Sequence, residues 1–105
     1  MTTFFGGVFI DQEMLEASGI NHPIKLEYYK RINEDELLEE NKVKYGVNIV
    51  KTEYTNEQTI VEQKGIKYLT NDETTANYLL KILKENFVTP IELDEIVSDL
   101  SKQLL

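Results

Sequence analysis

The stretch NDETTANYLLKILKENFVTPIELDEIVSDL, Asn71 to Leu100, decides the fold, because two helices and the corner between them are written into it. Asn71 or Asp72 offers a side-chain acceptor to the first free amides of a helix that runs to about Asn86. Along it Ala76, Leu79, Leu80, Leu83 and Phe87 recur at the spacing of one buried stripe. A second helix follows at once. Thr89 is its N-cap, Pro90 its first residue, and Glu92 completes a Thr-x-x-Glu capping box. Val88 and Leu93 flank that cap as a hydrophobic staple, and Leu93, Ile96, Val97, Leu100 and Leu104 carry the apolar face.

A helical hairpin with one apolar side needs a surface to cover, and the chain upstream supplies strands. Ile24 to Ile32 alternates, with Ile24, Leu26, Tyr28 and Ile32 on one face and Lys25, Glu27, Tyr29 and Arg31 on the other. Lys30 is the exception on the apolar face and is expected to reach out at an edge. Val43 to Tyr54 is a second strand, with Val43, Tyr45, Val47 and Ile49 on one face and Gly46 marking a bulge or a close backbone approach. Thr55-Asn56-Glu57 turns the chain into a third strand near Gln58 to Lys64, an antiparallel hairpin. Neither parity of Ile60 and Val61 keeps every polar residue out of the core, so the buried face of that strand stays open.

The flanking pieces are less regular. Asp11 to Ser18 (DQEMLEAS) reads as a short helix closed by Gly19, and Asn33 to Lys42 (NEDELLEENK) reads as an acidic connection whose Asn33 and Glu36 cap one turn. The opening TTFFGGVFI adds a fourth strand or a loop. The expectation is one α+β domain over 1–105: residues 1–23 as strand or loop plus short helix, 24–69 as antiparallel strands, and 71–104 as two helices packed on one face of a small sheet.

Composition bounds what such a domain does. The 105 residues are 41% hydrophobic and 29% charged, ordinary for a folded chain. No cysteine is present, which removes disulfides, thiolate metal sites and cysteine nucleophiles, and fits a cytoplasmic protein. The apolar run Phe4 to Ile10 is too short for a membrane span and lacks the basic flank of a signal peptide. The net charge of −8 opposes nucleic acid and anionic lipid. That charge is uneven: the strands carry seven bases and three acids, +4, which leaves −12 for the remainder.

Motifs that carry chemistry are missing. The lone His22, between Asn21 and Pro23, reads as a turn residue rather than a base or ligand. The runs EDELLEE (Glu34 to Glu40) and ELDE (Glu92 to Glu95) read as solvated faces and lack the alternation of a calcium loop. Gly6-Gly7 lacks the remaining residues of a phosphate loop, and no Gly-x-Ser-x-Gly or Ser-x-x-Lys occurs.

Three features together, the paired tyrosines Tyr28-Tyr29, the strand YGVNIV from Tyr45 and the closing VTPIELDEIVSDL from Val88, carry a likeness over about Ile24 to Leu100. In them the chain resembles a family of small uncharacterised proteins from spore-forming Gram-positive bacteria, classed as a domain of unknown function. The resemblance implies a shared fold and brings no activity, cofactor or catalytic residue.

The reading is therefore a non-enzymatic interaction or regulatory domain, without metal or cofactor, whose partner is another protein or a second copy. Its candidate contact residues are Tyr29, Arg31, Lys44 and Tyr54, expected on faces turned away from the helices. Two alternatives stand beside it: single-stranded nucleic-acid binding through the same residues, and a small carboxylate-dependent enzyme.

Overall fold

In the computed structural model four strands form one antiparallel sheet in the order β1-β2-β3-β4, and the two C-terminal helices pack on one of its faces. The structure describes residues 1–11, 22–33 and 44–104, the side chains of the last two excepted. The strands are β1 (Thr2–Ile10), β2 (Ile24–Ile32), β3 (Tyr45–Tyr54) and β4 (Thr59–Thr70). The helices are α1 (Glu73–Glu85) and, after a 3₁₀ turn at Pro90–Glu92, α2 (Leu93–Leu104). Beyond Asp11 the short helix expected to Ser18 lies outside the described residues, as do the acidic turn from Glu34 to Lys42 and Val43, the expected start of the second strand.

The opening segment is a fourth strand, paired antiparallel with β2 from Thr2↔Arg31 to Ile10↔Ile24. β4 extends to Thr70, six residues beyond its expected end at Lys64. A register shift at Tyr45/Val47 lets the pairing with β3 continue past Gly65. Gly46 sits in that shift, and a Cβ there would lie 2.2 Å from the Ile66 carbonyl oxygen and 2.4 Å from that of Lys67. The close approach read from the sequence is real, and any side chain at this position would collide with backbone.

The core is the helix-facing side of the sheet. Ile24, Leu26, Tyr28, Val47 and Ile49 meet Leu80, Leu83, Val88, Leu93 and Val97. Ile60 pairs with Glu53 and falls on this side, whereas Val61 pairs with Thr52 and faces the other way, 58% exposed. Tyr28 is fully buried, and its hydroxyl donates to the Val88 carbonyl at 2.9 Å, which ties β2 to the corner between the helices. Lys30 stays on the helix side, where its ammonium reaches Glu73 Oε2 at 2.9 Å and Asn77 Oδ1 at 3.2 Å.

The helical corner follows the sequence except at Phe87 and in the first turn of the second helix, which is 3₁₀ over Pro90–Glu92. Asp72 is the N-cap and accepts from the Thr74 amide. At the second start, the Glu92 carboxylate accepts from both the amide and the hydroxyl of Thr89. Phe87, expected in the buried stripe of α1, is 45% exposed and adopts a left-handed backbone, φ 52°. The helix has already ended at Glu85, so the helical period no longer applies there. The Val88 amide donates to the Leu83 carbonyl and the Phe87 amide to that of Lys84, the bond pair of a Schellman motif.

Candidate functional site

Strand alternation sends half of every strand away from the helices, and this second face is where the sequence places a contact surface. The register puts Thr2, Phe4, Gly7 and Phe9 of β1 beside Arg31, Tyr29, Glu27 and Lys25 of β2. The next rows are Asn48, Val50, Thr52 and Tyr54 of β3, then Gly65, Gln63, Val61 and Thr59 of β4. Among the described residues no element packs on this face.

Two aromatic pairs mark its ends. Phe4 meets Tyr29 edge-on, with ring centroids 5.6 Å apart, and Phe9 lies 6.4 Å from Tyr54. Phe4 and Phe9 are 56% and 58% exposed, although they are among the largest apolar side chains in the protein. Phe4 and Tyr29 are directly opposed residues of neighbouring strands, whereas Phe9 and Tyr54 meet across the intervening β2.

The polar groups on the face are tied to one another. The Tyr29 hydroxyl donates to Glu27 Oε2 at 2.9 Å, and Lys25 Nζ lies 3.5 Å from Glu27 Oε1. Partial burial and then the bond to Glu27 hold the Tyr29 hydroxyl above its ordinary pKa. The Lys25 ammonium is also raised, first through the Tyr54 hydroxyl and then through the Glu27 charge.

The four candidate residues do not form one cluster. Tyr29 and Tyr54 belong to the two separate ring pairs, since Tyr29 pairs with Asn48 and Tyr54 lies six residues further along β3, roughly 20 Å away. Arg31 continues the Tyr29 end. Lys44 stands apart: it precedes β3, its amide donates to Asn71 Oδ1, and its ammonium lies over the ring of the buried Tyr45.

Phe4 and Phe9 carry the exposed apolar area together with Val61, and sequence alternation misses the two phenylalanines. Five residues apart, they would point to opposite sides of an unbroken strand. The register shift between Phe4 and Gly6 inserts one extra residue and brings both to the same side. The Gly6-Gly7 pair is the only trace of this in the sequence.

Elsewhere several titratable groups are engaged in structure. Lys51 Nζ lies 2.7 Å from Glu53 Oε1, and His22 Nε2 lies 3.3 Å from Glu53 Oε2 beside a hollow bounded by the β3–β4 turn. Glu92 caps the second helix, and Asp94 pairs with Lys64. No group of three or more His, Asp or Glu among the described residues is placed to hold a metal ion. No helix among them is long and apolar enough to cross a membrane.

No curated protein and no solved structure matches the chain. A family model does match, over residues 10–103, and so begins well before the Ile24 at which the sequence resemblance starts. With nearly its whole length covered, the chain belongs to a family of unknown function, DUF6514.

Proposed function

We propose that this is a protein-interaction domain, regulatory rather than enzymatic, which binds a protein partner on the open face of its sheet. The observation that supports it is the pair of exposed phenylalanines, Phe4 and Phe9, each held against a tyrosine on a face that no described element covers. Aromatic rings fixed in place lose little entropy on binding and are the favoured anchors of protein interfaces.

Charge separates this reading from nucleic-acid binding. The rows of the open face contain Lys25, Glu27 and Arg31 as their charged side chains, a net of +1. The basic character of the strands is directed mostly elsewhere, with Lys30, Lys51 and Lys64 bonded to Glu73, Glu53 and Asp94. A face with so little uncompensated positive charge offers few phosphate contacts, and those contacts supply most of the affinity for single strands.

The test compares the wild-type chain with a Phe4→Ser/Phe9→Ser variant as bait in native cell extract. Each captured protein is then purified and titrated against both baits. The expected result is a partner that binds wild type directly and binds the variant at least about tenfold more weakly. Equal binding by both baits, or no binary binder at all, would reject the face as the contact surface. Binding of a short oligonucleotide at low salt would replace this reading with the nucleic-acid one.

A further inference from the structure

The two edges of the sheet differ. The β4 edge carries Glu62, Lys64 and Lys67, and Lys64 is held by Asp94 of α2. Charges of this kind keep an edge from pairing with another chain. The β1 edge is TTFFGGVFI, nine residues with no charge and no proline, and among the described residues its one protective feature is the bulge at Phe4/Gly6. Unguarded apolar edges are templates for a further strand.

The register identifies which β1 amides point outward. Met1 and Ile32 exchange both backbone bonds, so they form a hydrogen-bonded pair of the antiparallel ladder. Counting along β2 from Ile32, its even-numbered residues bond to β1, and their partners are Thr3, Gly6, Val8 and Ile10. Thr2, Phe4, Gly7 and Phe9 therefore aim their amides away from the sheet.

A second observation lies on the helix side of the same edge. Phe5, Val8 and Phe87 line a hollow with Lys81, Lys84 and Glu85 from the end of α1. Phe87 holds a left-handed backbone where glycine is the usual residue, yet its ring is left exposed beside the edge. Strain retained at a surface ring is accounted for when that ring has a contact to make.

We infer that β1 pairs antiparallel with β1 of a second copy, which joins two four-stranded sheets into one of eight strands. An uncharged strand meets its own copy without placing like charges opposite each other, although each chain carries −8. Lys81, Lys84 and Glu85 at the rim present both signs to the symmetry mate. The edge also carries an apolar hollow and the exposed rings of Phe5 and Phe87 together, the self-complementarity that a two-fold interface requires. This pairing uses backbone at the edge and is independent of what the open face binds.

Sedimentation of the full chain from about 1 μM to 1 mM tests it. The expected species at high loading has twice the 12.2 kDa mass of one chain. A single-chain mass throughout would overturn the inference. Phe9→Pro removes an outward amide and should abolish the dimer, while Phe9→Ala keeps the amide and should retain it. Loss in both variants would point to the face instead of the edge, and retention in both would reject the edge; either result overturns the proposal. Should Phe9→Pro fail to fold by circular dichroism, amide exchange of the wild type decides. The Phe4, Gly7 and Phe9 amides must become slower as protein concentration rises, and concentration-independent exchange refutes the pairing. Phe87→Gly should weaken association by about tenfold without loss of fold, and unchanged association would remove Phe87 from the interface and count against the inference.

Discussion

At the scale of single residues, two positions have their backbone surroundings as their governing fact. Gly46 faces the carbonyls of Ile66 and Lys67 at distances no Cβ tolerates. Gly46→Ala should destabilise by about 2–3 kcal/mol, seen as a lower urea midpoint, because rigid backbone on the opposite strand has to move. Phe87 presents the reverse case. Its left-handed φ costs an L-residue roughly 1–2 kcal/mol, and glycine recovers part of that. Phe87→Gly should therefore raise stability by about 0.5–1 kcal/mol in the same titration, and a loss would show that the exposed ring contributes more to the monomer than its surroundings suggest. Gly46 was legible from the sequence because a glycine that interrupts an apolar strand marks a bulge or a close approach of backbone. Phe87 was not, because a helix stop without glycine leaves no mark on a periodic apolar pattern.

At the scale of elements, legibility follows how many local signals agree. The start of the second helix had a cap, a proline, a box and a staple, and the structure realises it with the Glu92 carboxylate bonded twice to Thr89 and with Val88 and Leu93 buried. Thr89→Ala keeps the amide bond to Glu92 but loses the hydroxyl one, and thermal or urea unfolding should register about 1 kcal/mol. A loss near zero would mean that the amide bond and the staple hold the corner unaided. β2 was equally plain, since nine residues alternate with one exception, and that exception, Lys30, is satisfied by Glu73. β1 was not plain. A bulge changes parity partway along a strand, so a pattern read with period two assigns its phenylalanines to the wrong faces. The candidate surface was therefore half legible: alternation in β2 identified Tyr29 and Arg31, while the rings that complete the surface waited on the register of β1.

At the scale of the whole molecule, Lys30, Lys51 and Lys64 on the helix-facing side of the sheet are each paired with a carboxylate, and titration should find the limits of that arrangement. The Glu53 carboxyl is held below its ordinary value of 4.5 first by its bond to Lys51, with the Lys51 charge and His22 adding smaller contributions. A depressed folded pKa adds stability that is present above the unfolded value and lost as pH falls through the folded one. Unfolding free energy should thus hold this contribution above about pH 5 and lose it on further acidification, and Glu53→Gln should flatten that acid limb. An acid limb unchanged in the variant would assign the loss to other carboxylates, Asp72 among them, whose cap bonds to Thr75 and Thr74 shift it the same way. The alkaline limb has the opposite origin. Burial drives the Tyr28 hydroxyl far above its ordinary value of 10.0, so the folded state keeps a proton that the unfolded chain releases. Its stabilisation is complete below about pH 10 and declines as pH rises further. Tyr28→Phe removes the titration but leaves the Val88 carbonyl without its donor, so the variant should start about 1–2 kcal/mol less stable at neutral pH and fall less steeply above about pH 10. Parallel alkaline limbs in wild type and variant would show instead that Tyr29 and Lys25 on the open face, both raised, set that limit.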